Sequence, residues 1–295
     1  MINNIYNIGV DIGSTTIKCV VTDSDGEVIY KSYKRHNAQL TLAVSTFLED
    51  LISAKGNLNV YIAFTGSGAV GLTQRTKLTF VQEVVAASEC VRNLYPDART
   101  LLDIGGEDAK LVLFEKDKSP DIRMNGSCAG GTGAFIDQMA TLMNISIGEM
   151  NEMAIRSTSI YPIASRCAVF AKTDVQNLLS RKVPAEDIAA SLFYAVGVQV
   201  VNSLARGSMI RPQIIFCGGP LKYISCLRNT FVNILKLKES DVIFPEDAEL
   251  FTAKGASLIA RAKSGVMSLS DIQNHIKSYL NRDSSSSSLL KPLFF

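Results

Sequence analysis

The sequence has few cysteines and no two of them in close spacing. Its 295 residues contain six, and none form a CxxC motif. Scattered cysteines argue against a disulfide-stapled scaffold and against a zinc site built within one chain. A metal held by cysteine would therefore need ligands distant in sequence, or ligands from two chains. The six are Cys19, Cys90, Cys128, Cys167, Cys217 and Cys226.

Net charge, long apolar runs and histidine are also scarce. The 30 basic and 28 acidic residues nearly cancel, and no stripe of Lys and Arg alternates with aromatic residues, so nucleic acid is not an expected partner. No run approaches the roughly 20 apolar residues of a membrane span, and no basic region with a long apolar one opens the chain. We therefore expect a cytoplasmic protein without a membrane partner. Surface or capping roles are expected for the only histidines, His36 and His275.

An internal repeat is the most informative feature that is present. Residues 11–21 (DIGSTTIKCVV) and 103–114 (DIGGEDAKLVLF) share D-I-G-x-x-x-x-K-x-V in constant register. Each copy follows an apolar run that ends in aspartate, turns through glycine, and resumes β-branched alternation. The pattern predicts a β-hairpin whose tight turn exposes backbone amides to an anion. The alternative is a pair of ordinary hairpins, in which Asp108 and Lys110 lie at an exposed edge.

The two copies are followed by similar orders of elements. After the first, the periodicity predicts strands near 17–23, 26–34 and 58–65 and helices near 39–54 and 83–95. After the second, it predicts strands near 109–115, 120–124 and 213–217 and helices near 132–147, 168–181, 185–206 and after 221. A last helix is predicted near 270–281. Alternating strands and helices, with 47% hydrophobic residues, indicate α/β layers with a large core. Two duplicated halves would enclose a cleft for a nucleotide and its metal.

Two further glycine-rich stretches raise different questions. Residues 216–223 (FCGGPLKY) form a strand that ends in Gly-Gly before a helix, which lets a flat ligand approach the backbone. Residues 125–135 (NGSCAGGTGAF) have glycines that suit a phosphate, but phosphate binding does not explain the thiol of Cys128. Residues 65–68 (TGSG) would close over the nucleotide or form a plain turn.

A second cysteine, Cys167, also precedes a helix-like segment. A helix N-terminus lowers the pKa of a thiol and stabilises added negative charge, which suits thiolates on a cluster that accepts an electron. A four-iron cluster needs four cysteines, so two per chain would imply a cluster shared across a homodimer. The alternative is a pair of small, buried and inert cysteines.

The three turn motifs together resemble a known superfamily. DIGSTT with Lys18, DIGG with Asp108 and Lys110, and CGGP resemble the phosphate-1, phosphate-2 and adenosine motifs of the actin, Hsp70 and sugar-kinase ATPases, over about residues 5–263. The resemblance implies an α/β fold of two RNase H-like halves around a nucleotide cleft. It also implies that turn amides and hydroxyls bind the phosphates of ATP or ADP, with Lys18 as a point charge.

That resemblance assigns roles to individual residues. Asp11 and Asp103 would hold Mg²⁺ through its waters, and Asp103, Glu107 or Asp108 would orient the attacking water. The implied nucleotide-binding residues are Gly13, Ser14, Thr15, Thr16, Lys18, Gly105, Gly106, Gly130, Gly131, Thr132, Gly218, Gly219 and Pro220.

The cysteine motifs resemble a narrower family. NGSCAGGTG with SRCAVFA is similar to the activator ATPases of 2-hydroxyacyl-CoA dehydratases, in the BadF/BadG/BcrA/BcrD family. The resemblance implies that Cys128 and Cys167 hold one [4Fe-4S] cluster between two subunits of a homodimer. ATP hydrolysis would then drive low-potential electrons from a ferredoxin or flavodoxin to a cluster-containing dehydratase or reductase. The other four cysteines are expected in the core.

The domain boundaries and the exact partner stay open at this point. The first ATPase half is predicted at 1–97 plus about 264–281, the second at 98–263, and a flexible serine-rich tail or linker at 282–295. Surrounding residues resemble activator-like modules of long fused proteins, so the acceptor is either a dehydratase or a double-cubane-cluster protein. The rival functions are a sugar-type small-molecule kinase of the same superfamily and a non-redox nucleotide switch.

Overall fold

The protein is described from a computed structural model that covers residues 4–116, 118–125 and 130–286. These residues form two compact units. The first runs to Cys90 and resumes at Thr252, and the second spans Val91–Phe251. The boundary at the end of the second unit differs from the predicted one, because residues 252–263 belong to the first unit. Their helix lies so close to Gly9 of the first sheet that a Cβ there would clash with the helix backbone.

The described elements alternate as the periodicity predicts. The strands are β1 (Ile5–Ile12), β2 (Thr16–Thr22), β3 (Val28–Arg35), β4 (Asn59–Thr65), β5 (Thr100–Ile104), β6 (Ala109–Leu113), β7 (Asp121–Asn125), β8 (Ile214–Cys217), β9 (Val242–Ile243) and β10 (Met267–Ser268). The helices are α1 (Leu40–Lys55), α2 (Ala69–Thr76), α3 (Glu83–Leu94), α4 (Gly133–Leu142), α5 (Ile147–Ile155), α6 (Ala168–Ser180), α7 (Ala185–Ala205), α8 (Gly219–Tyr223), α9 (Ser225–Ile234), α10 (Phe251–Lys263) and α11 (Leu269–Ser286).

Each unit is built on one mixed five-stranded sheet, and four of the strands have the same topology in both, whereas the fifth is antiparallel to its neighbour in the first sheet and parallel in the second. The first sheet has the order β10-β4-β1-β2-β3 and the second has the order β7-β6-β5-β8-β9. In each, three strands form an antiparallel meander, and a later strand pairs in parallel with the first strand of that meander. The predicted duplication is thus present in the strand pairing itself.

Apolar side chains bury both sheets beneath helices. In the first unit, one face of the sheet packs against α1, α2 and α11, and small residues of α10 pack on the other side with Ala63 and Val81. In the second unit, Leu102, Phe216 and their neighbours pack against α4, α5, α7 and α9. Burial of these side chains is the main stabilising term for both units.

The predicted helix at 132–147 is two helices in the structure. Helix α4 ends at Leu142, and Asn144 takes a left-handed conformation with φ of 55°. Ser146 then begins α5 with a capping box, accepting from the amide of Glu149, whose carboxylate accepts from the Ser146 amide. The Ser-x-x-Glu spacing is visible in the sequence and signals this second start.

Helix α11 is longer than its predicted range. The sequence predicts a helix near 270–281 and a tail from 282, whereas α11 continues to Ser286. A helix that is already nucleated gains one hydrogen bond for each residue it adds, and serine is tolerated there.

Helix α7 corrects the expectation about long apolar runs. By length and composition it could cross a membrane, with a mean hydropathy of 1.6, and it is the only such helix in the described part of the chain. Of the apolar window, 67% is buried inside the protein, as in a core helix of a globular domain. Its composition is therefore weak support for a membrane span.

Candidate functional site

The first hairpin turn brings Asp11 and Lys18 together. The register of β1 and β2 sets them opposite each other, and Lys18 Nζ lies 2.7 Å from Asp11 Oδ2. The Asp11 side chain is only 1% exposed. The Gly13 amide donates to the Thr16 carbonyl at 2.9 Å and closes the turn, leaving Ser14 and Thr15 partly exposed. The turn is formed as predicted, but Lys18 is already paired with a carboxylate.

His36 clamps the same turn, which corrects the expected surface or capping role. Its ring is buried, and Nε2 lies 3.0 Å from the Gly13 carbonyl oxygen. A carbonyl only accepts, so Nε2 carries the proton. The His36 amide donates to the Thr15 carbonyl at 3.1 Å. The amides of Ser14, Thr15 and Thr16 would face an anion at this turn. His36 holds two of the three peptide groups, those after Gly13 and after Thr15.

The second hairpin repeats the backbone of the first and has an ion pair inside its turn. Asp103 lies opposite Lys110, and the Gly105 amide donates to the Asp108 carbonyl at 2.8 Å, as Gly13 does to Thr16. Lys110 Nζ lies 2.8 Å from Asp108 Oδ2. Lys110 is buried, which argues against an exposed hairpin edge.

The three candidates for orienting a water differ in their surroundings. Asp103 is buried, Glu107 is exposed, and Asp108 is half-buried and bonded to Lys110. Burial strengthens the interaction of a carboxylate with a nearby cation. Asp103 therefore has the environment most similar to that of Asp11.

A second repeated turn lies next to each hairpin. It falls on the two stretches TGSG (65–68) and FCGGPLKY (216–223), whose equivalence to each other was not predicted from the sequence. Phe64-Thr65-Gly66 spans the end of β4 and Phe216-Cys217-Gly218 spans the end of β8, each strand being parallel to the first strand of its hairpin. Thr65 is the register partner of Asp11, and Cys217 is the register partner of Asp103.

The glycines of these two loops occupy equivalent positions. Gly66 and Gly218 have φ of 91° and 92°. A Cβ at Gly66 would clash with Asp11 Oδ1, and one at Gly218 would clash with Asp103 Oδ1. Both positions thus require glycine for conformation and for close approach to the carboxylate. The shared F-x-G after an apolar strand is the signal in the sequence.

The remaining predicted nucleotide-binding residues cluster around the second turn. The amides of Gly133 and Ala134, in the first turn of α4, donate to the carbonyls of Gly105 and Gly106 at 3.0 and 2.7 Å. Pro220 lies in the first turn of α8, beside Gly133. Gly130, Gly131 and Thr132 are buried and lead into α4, and Gly219 is buried at the start of α8.

Of the two cysteines predicted to bind the cluster, the structure describes only Cys167. Cys128 lies outside the described residues. Cys167 is the N-cap residue of α6, is partly buried, and its carbonyl accepts from the Ala171 amide at 2.9 Å. Its thiol thus stands at a helix N-terminus, as predicted. No group of three or more His, Cys, Asp or Glu side chains within 4–116, 118–125 and 130–286 could hold a metal.

Side chains of neighbouring helices fix the segment that leads to Cys167. Asp187, buried in the first turn of α7, accepts hydrogen bonds from two backbone amides of this segment at 2.7 and 3.0 Å. Ser191 Oγ accepts from a third at 2.7 Å, and Asp174 accepts from a fourth at 2.8 Å. The donors are the backbone amides of Thr158, Ser159, Tyr161 and Ala164. Cys167 is therefore presented by a segment with little freedom to move.

The other four cysteines lie in or against the core, as expected. Cys19, Cys90 and Cys217 are fully buried, and Cys226 packs against the core of the second unit. Burial raises the pKa of Cys19 strongly and that of Cys90 to about 12. The pKa of Cys226 is also raised, by burial and then by Glu152.

We expect alkylation to distinguish these thiols in the native protein without any bound metal. At pH 8 about one Cys90 in 10⁴ is a thiolate, because its pKa is about 12, and its sulfur is shielded from reagent. Iodoacetamide should therefore modify Cys167 at least about tenfold faster than Cys19 or Cys90, as followed by peptide mass spectrometry. Equal rates after unfolding are the control, and equal rates in the folded protein would contradict the assignment.

Comparison with known proteins agrees with this geometry. The model of the BadF/BadG/BcrA/BcrD ATPase family matches residues 8–260. The chain is 30% identical over 259 residues to the 2-hydroxyisocaproyl-CoA dehydratase activator of Clostridioides difficile, covering 86% of this chain and 94% of that one. It is 28% identical over 222 residues to the (R)-2-hydroxyglutaryl-CoA dehydratase activating ATPase of Acidaminococcus fermentans, covering 73% and 83%.

A solved structure has the same fold. The activator of the 2-hydroxyisocaproyl-CoA dehydratase from Clostridium difficile with bound ADPNP superposes with a TM-score of 0.76 at 25% identity, over 98% of this chain and 100% of that one. The predicted α/β fold class and the predicted resemblance to activator ATPases are both confirmed. The chain belongs to the BadF/BadG/BcrA/BcrD ATPase family.

Proposed function

We propose that the protein is an ATP-hydrolysing iron-sulfur activator that passes low-potential electrons to a 2-hydroxyacyl-CoA dehydratase or a similar cluster-containing partner. The two relatives compared above are a dehydratase activator and an activating ATPase. A further relative, 26% identical over 221 residues, is one component of the benzoyl-CoA reductase of Thauera aromatica. The names of all three refer to enzymes of acyl-CoA substrates, which supports an acceptor of that class.

Nucleotide binding is the first part of the proposal. The amides of both hairpin turns, at residues 13–16 and 105–108, bind phosphates of ATP and ADP, and Gly218, Gly219 and Pro220 bind the nucleoside. Asp11 Oδ1 is buried and has no hydrogen-bond partner among the described residues, so the site fits a hydrated Mg²⁺. Mg²⁺ would neutralise charge that develops on the phosphates.

The observation that best supports the proposal is a pair of backbone hydrogen bonds between α4 and the phosphate turn of the second unit. Gly133 and Ala134 donate to the carbonyls of the phosphate turn at Gly105 and Gly106. These donors stand five and six residues after Cys128 in the sequence. A change in the turn on nucleotide binding would therefore act on the segment that carries this thiol.

The surroundings of Cys167 support a cluster shared by a homodimer. Its thiol precedes two exposed apolar side chains, Val169 and Phe170, which are 69% and 65% exposed. Exposed apolar side chains beside a helix N-terminus suit an interface that excludes water from a charged centre. Cys128 and Cys167 of each chain would supply four thiolates, and a bound [4Fe-4S] cluster would accept and release one electron.

The partners follow from this chemistry. A ferredoxin or flavodoxin donates the electron, and a dehydratase or reductase with its own cluster accepts it. Nucleic acid is not among the proposed partners, because the 30 basic and 28 acidic residues nearly balance. We place the protein in the cytoplasm, where such donors and acyl-CoA enzymes are found.

Anaerobic purification tests the proposal. We expect brown protein with about two irons and two labile sulfides per chain, and an EPR signal on reduction. Electron transfer to an acceptor should require ATP, with ADP released. Colourless protein without sulfide, which phosphorylates an amino sugar instead, would favour the sugar-type kinase and overturn the activator proposal.

His36 provides a separate test of the first phosphate turn. Replacing it with leucine removes the donor to the Gly13 carbonyl, so the turn amides lose their fixed direction. We expect His36→Leu to weaken ADP binding about tenfold, the loss equivalent to one hydrogen bond.

His36→Gln is the matched control, because its amide nitrogen also donates a hydrogen bond. It should recover most of the affinity measured by calorimetry. His275→Leu, a change far from any motif, should have no effect on binding. Equal losses for His36→Gln and His36→Leu would mean that the ring acts by filling space.

A further inference from the structure

Unsatisfied polar atoms cluster at the first phosphate turn. Six buried side-chain polar atoms in the described part of the chain have no hydrogen-bond partner. Three of them belong to Asp11, which begins the turn, His36, which clamps it, and Thr65, the register partner of Asp11. Buried polar groups are almost always paired, so exceptions that gather at one place indicate a missing partner there.

Thr65 is the unexpected member of this group. It is fully buried, and its hydroxyl Oγ1 makes no hydrogen bond to any described residue. A threonine in a strand commonly packs its methyl group, and its hydroxyl could bond to a nearby backbone carbonyl. Thr73, a few residues later in α2, does this with the Ala69 carbonyl at 2.8 Å. Thr65 does not, so its hydroxyl remains available.

Strand pairing places Thr65 next to Asp11. Thr65 and Asp11 are paired at the carboxyl ends of two neighbouring parallel strands, where open α/β sheets bind their ligands. Residues opposite each other on paired strands point to the same face of the sheet. Asp11 Oδ2 is used by Lys18, and Oδ1 is unpaired. Two free oxygens therefore lie side by side on one face.

We propose that Thr65 is a further residue of the metal site, in which its hydroxyl and Asp11 Oδ1 together bind the water shell of the nucleotide-bound Mg²⁺. Magnesium keeps several of its waters, and each bound water has two hydrogens to donate to such oxygens. A hydroxyl suits this role because its oxygen accepts a hydrogen bond from a metal-bound water. The inference rests on the proposed binding of Mg²⁺ and nucleotide at the Asp11 turn.

The second unit shows that this hydroxyl is not needed for the loop itself. The equivalent position at the end of β8 is Cys217, which also precedes a glycine of the same conformation. The loop therefore forms with either a hydroxyl or a thiol. In the first unit this position carries a hydroxyl, and the neighbouring Asp11 has a buried oxygen without a hydrogen-bond partner among the described residues.

The test uses Thr65→Val, which keeps the shape of the side chain and removes the hydroxyl. ADP affinity of the full chain is measured by calorimetry in EDTA and in excess Mg²⁺, and Mn²⁺ binding to the ADP complex is measured by EPR. We expect the gain in ADP affinity from Mg²⁺, and the Mn²⁺ affinity, each to fall about tenfold, with affinity in EDTA unchanged. Thr65→Ser should restore both to within about threefold.

Thermal unfolding without ligand separates this role from a structural one. A hydroxyl with no partner contributes nothing to folding, so Thr65→Val should keep or raise the Tm of the ligand-free protein. Thr73→Val, which removes a satisfied hydroxyl, should lower the Tm and leave the Mg²⁺ effect unchanged. A ligand-free Thr65→Val protein that unfolds early would contradict the inference.

Asp11→Asn separates failure of the inference from failure of the proposed function. If Asp11→Asn loses the Mg²⁺ effect and Thr65→Val keeps it, only the role of Thr65 is wrong. If neither variant changes the Mg²⁺ effect, the metal site is not at this turn, and the assignment of Asp11 fails as well.

Discussion

Replacing Cys167 with serine is expected to remove the cluster and leave nucleotide binding intact. Serine has the same shape, but its hydroxyl stays protonated at neutral pH and is a poor ligand for iron. We expect iron to fall from about two atoms per chain to less than about 0.2 in anaerobic preparations, and ATP-dependent electron transfer to disappear. The Kd for ADP should change by less than about twofold, because Cys167 is not part of either phosphate turn.

Cys226→Ser is the matched control for this change. Cys226 is also partly buried in the second unit, but its amide and thiol bond to Asn151, and it precedes no motif. We expect its iron content and electron transfer to equal those of the unchanged protein. Cys128→Ser should behave as Cys167→Ser does. A Cys167→Ser protein that keeps its iron, or that loses ADP binding, would show that this thiol is only structural.

The hairpins were predictable because their information is local. Aspartate and lysine stand seven positions apart in each copy, and a tight turn between adjacent strands places such residues opposite each other. Both pairs have this register in the structure, Asp11 with Lys18 and Asp103 with Lys110. Local patterning also predicts the correct order of most strands and helices and the α/β class.

The contacts that complete the first turn were not predictable in the same way. His36 reaches Gly13 across 23 residues, and Thr65 is paired with Asp11 across 54. Neither partner follows from periodicity, because parallel pairing and loop packing are set by the tertiary fold. The equivalence of the two F-x-G turns is a signal that could have been found, since each ends an apolar strand.

The ion pair inside the second turn did not follow from the repeat. The shared spacing sets Asp11 opposite Lys18 and Asp103 opposite Lys110, and Lys110 Nζ lies 2.8 Å from Asp108 Oδ2. Asp108 occupies the position that Thr16 has in the first copy. The second turn therefore has a carboxylate where the first turn has a hydroxyl.

Replacing Asp11 with asparagine is expected to have the second large effect, on ATP hydrolysis. The amide keeps the size of the side chain but loses the charge that would fix the Mg²⁺ waters, in a site where Asp11 is only 1% exposed. Removing a charged group that stabilises the transition state typically costs about 10²–10³-fold in kcat, and we expect a loss of this size. Affinity for ADP in EDTA should change little, because the turn amides remain in place. The loss of ATPase is measured by phosphate release under saturating Mg²⁺ and ATP.

Asp50→Asn is the control, because it breaks an ion pair of the same two residue types at an exposed position away from the phosphate turns. Asp50 and Lys34 form the same kind of ion pair at 2.5 Å, but their side chains are 42% and 51% exposed on the surface. An exposed pair contributes less than about 1 kcal/mol, so Asp50→Asn should change neither stability nor kcat measurably. Asp11→Asn should lower the free energy of unfolding by about 2 kcal/mol, since Lys18 is 15% exposed and only partly regains water. If Asp11→Asn loses stability and keeps its ATPase rate, Asp11 holds the hairpin through Lys18 and has no part in hydrolysis.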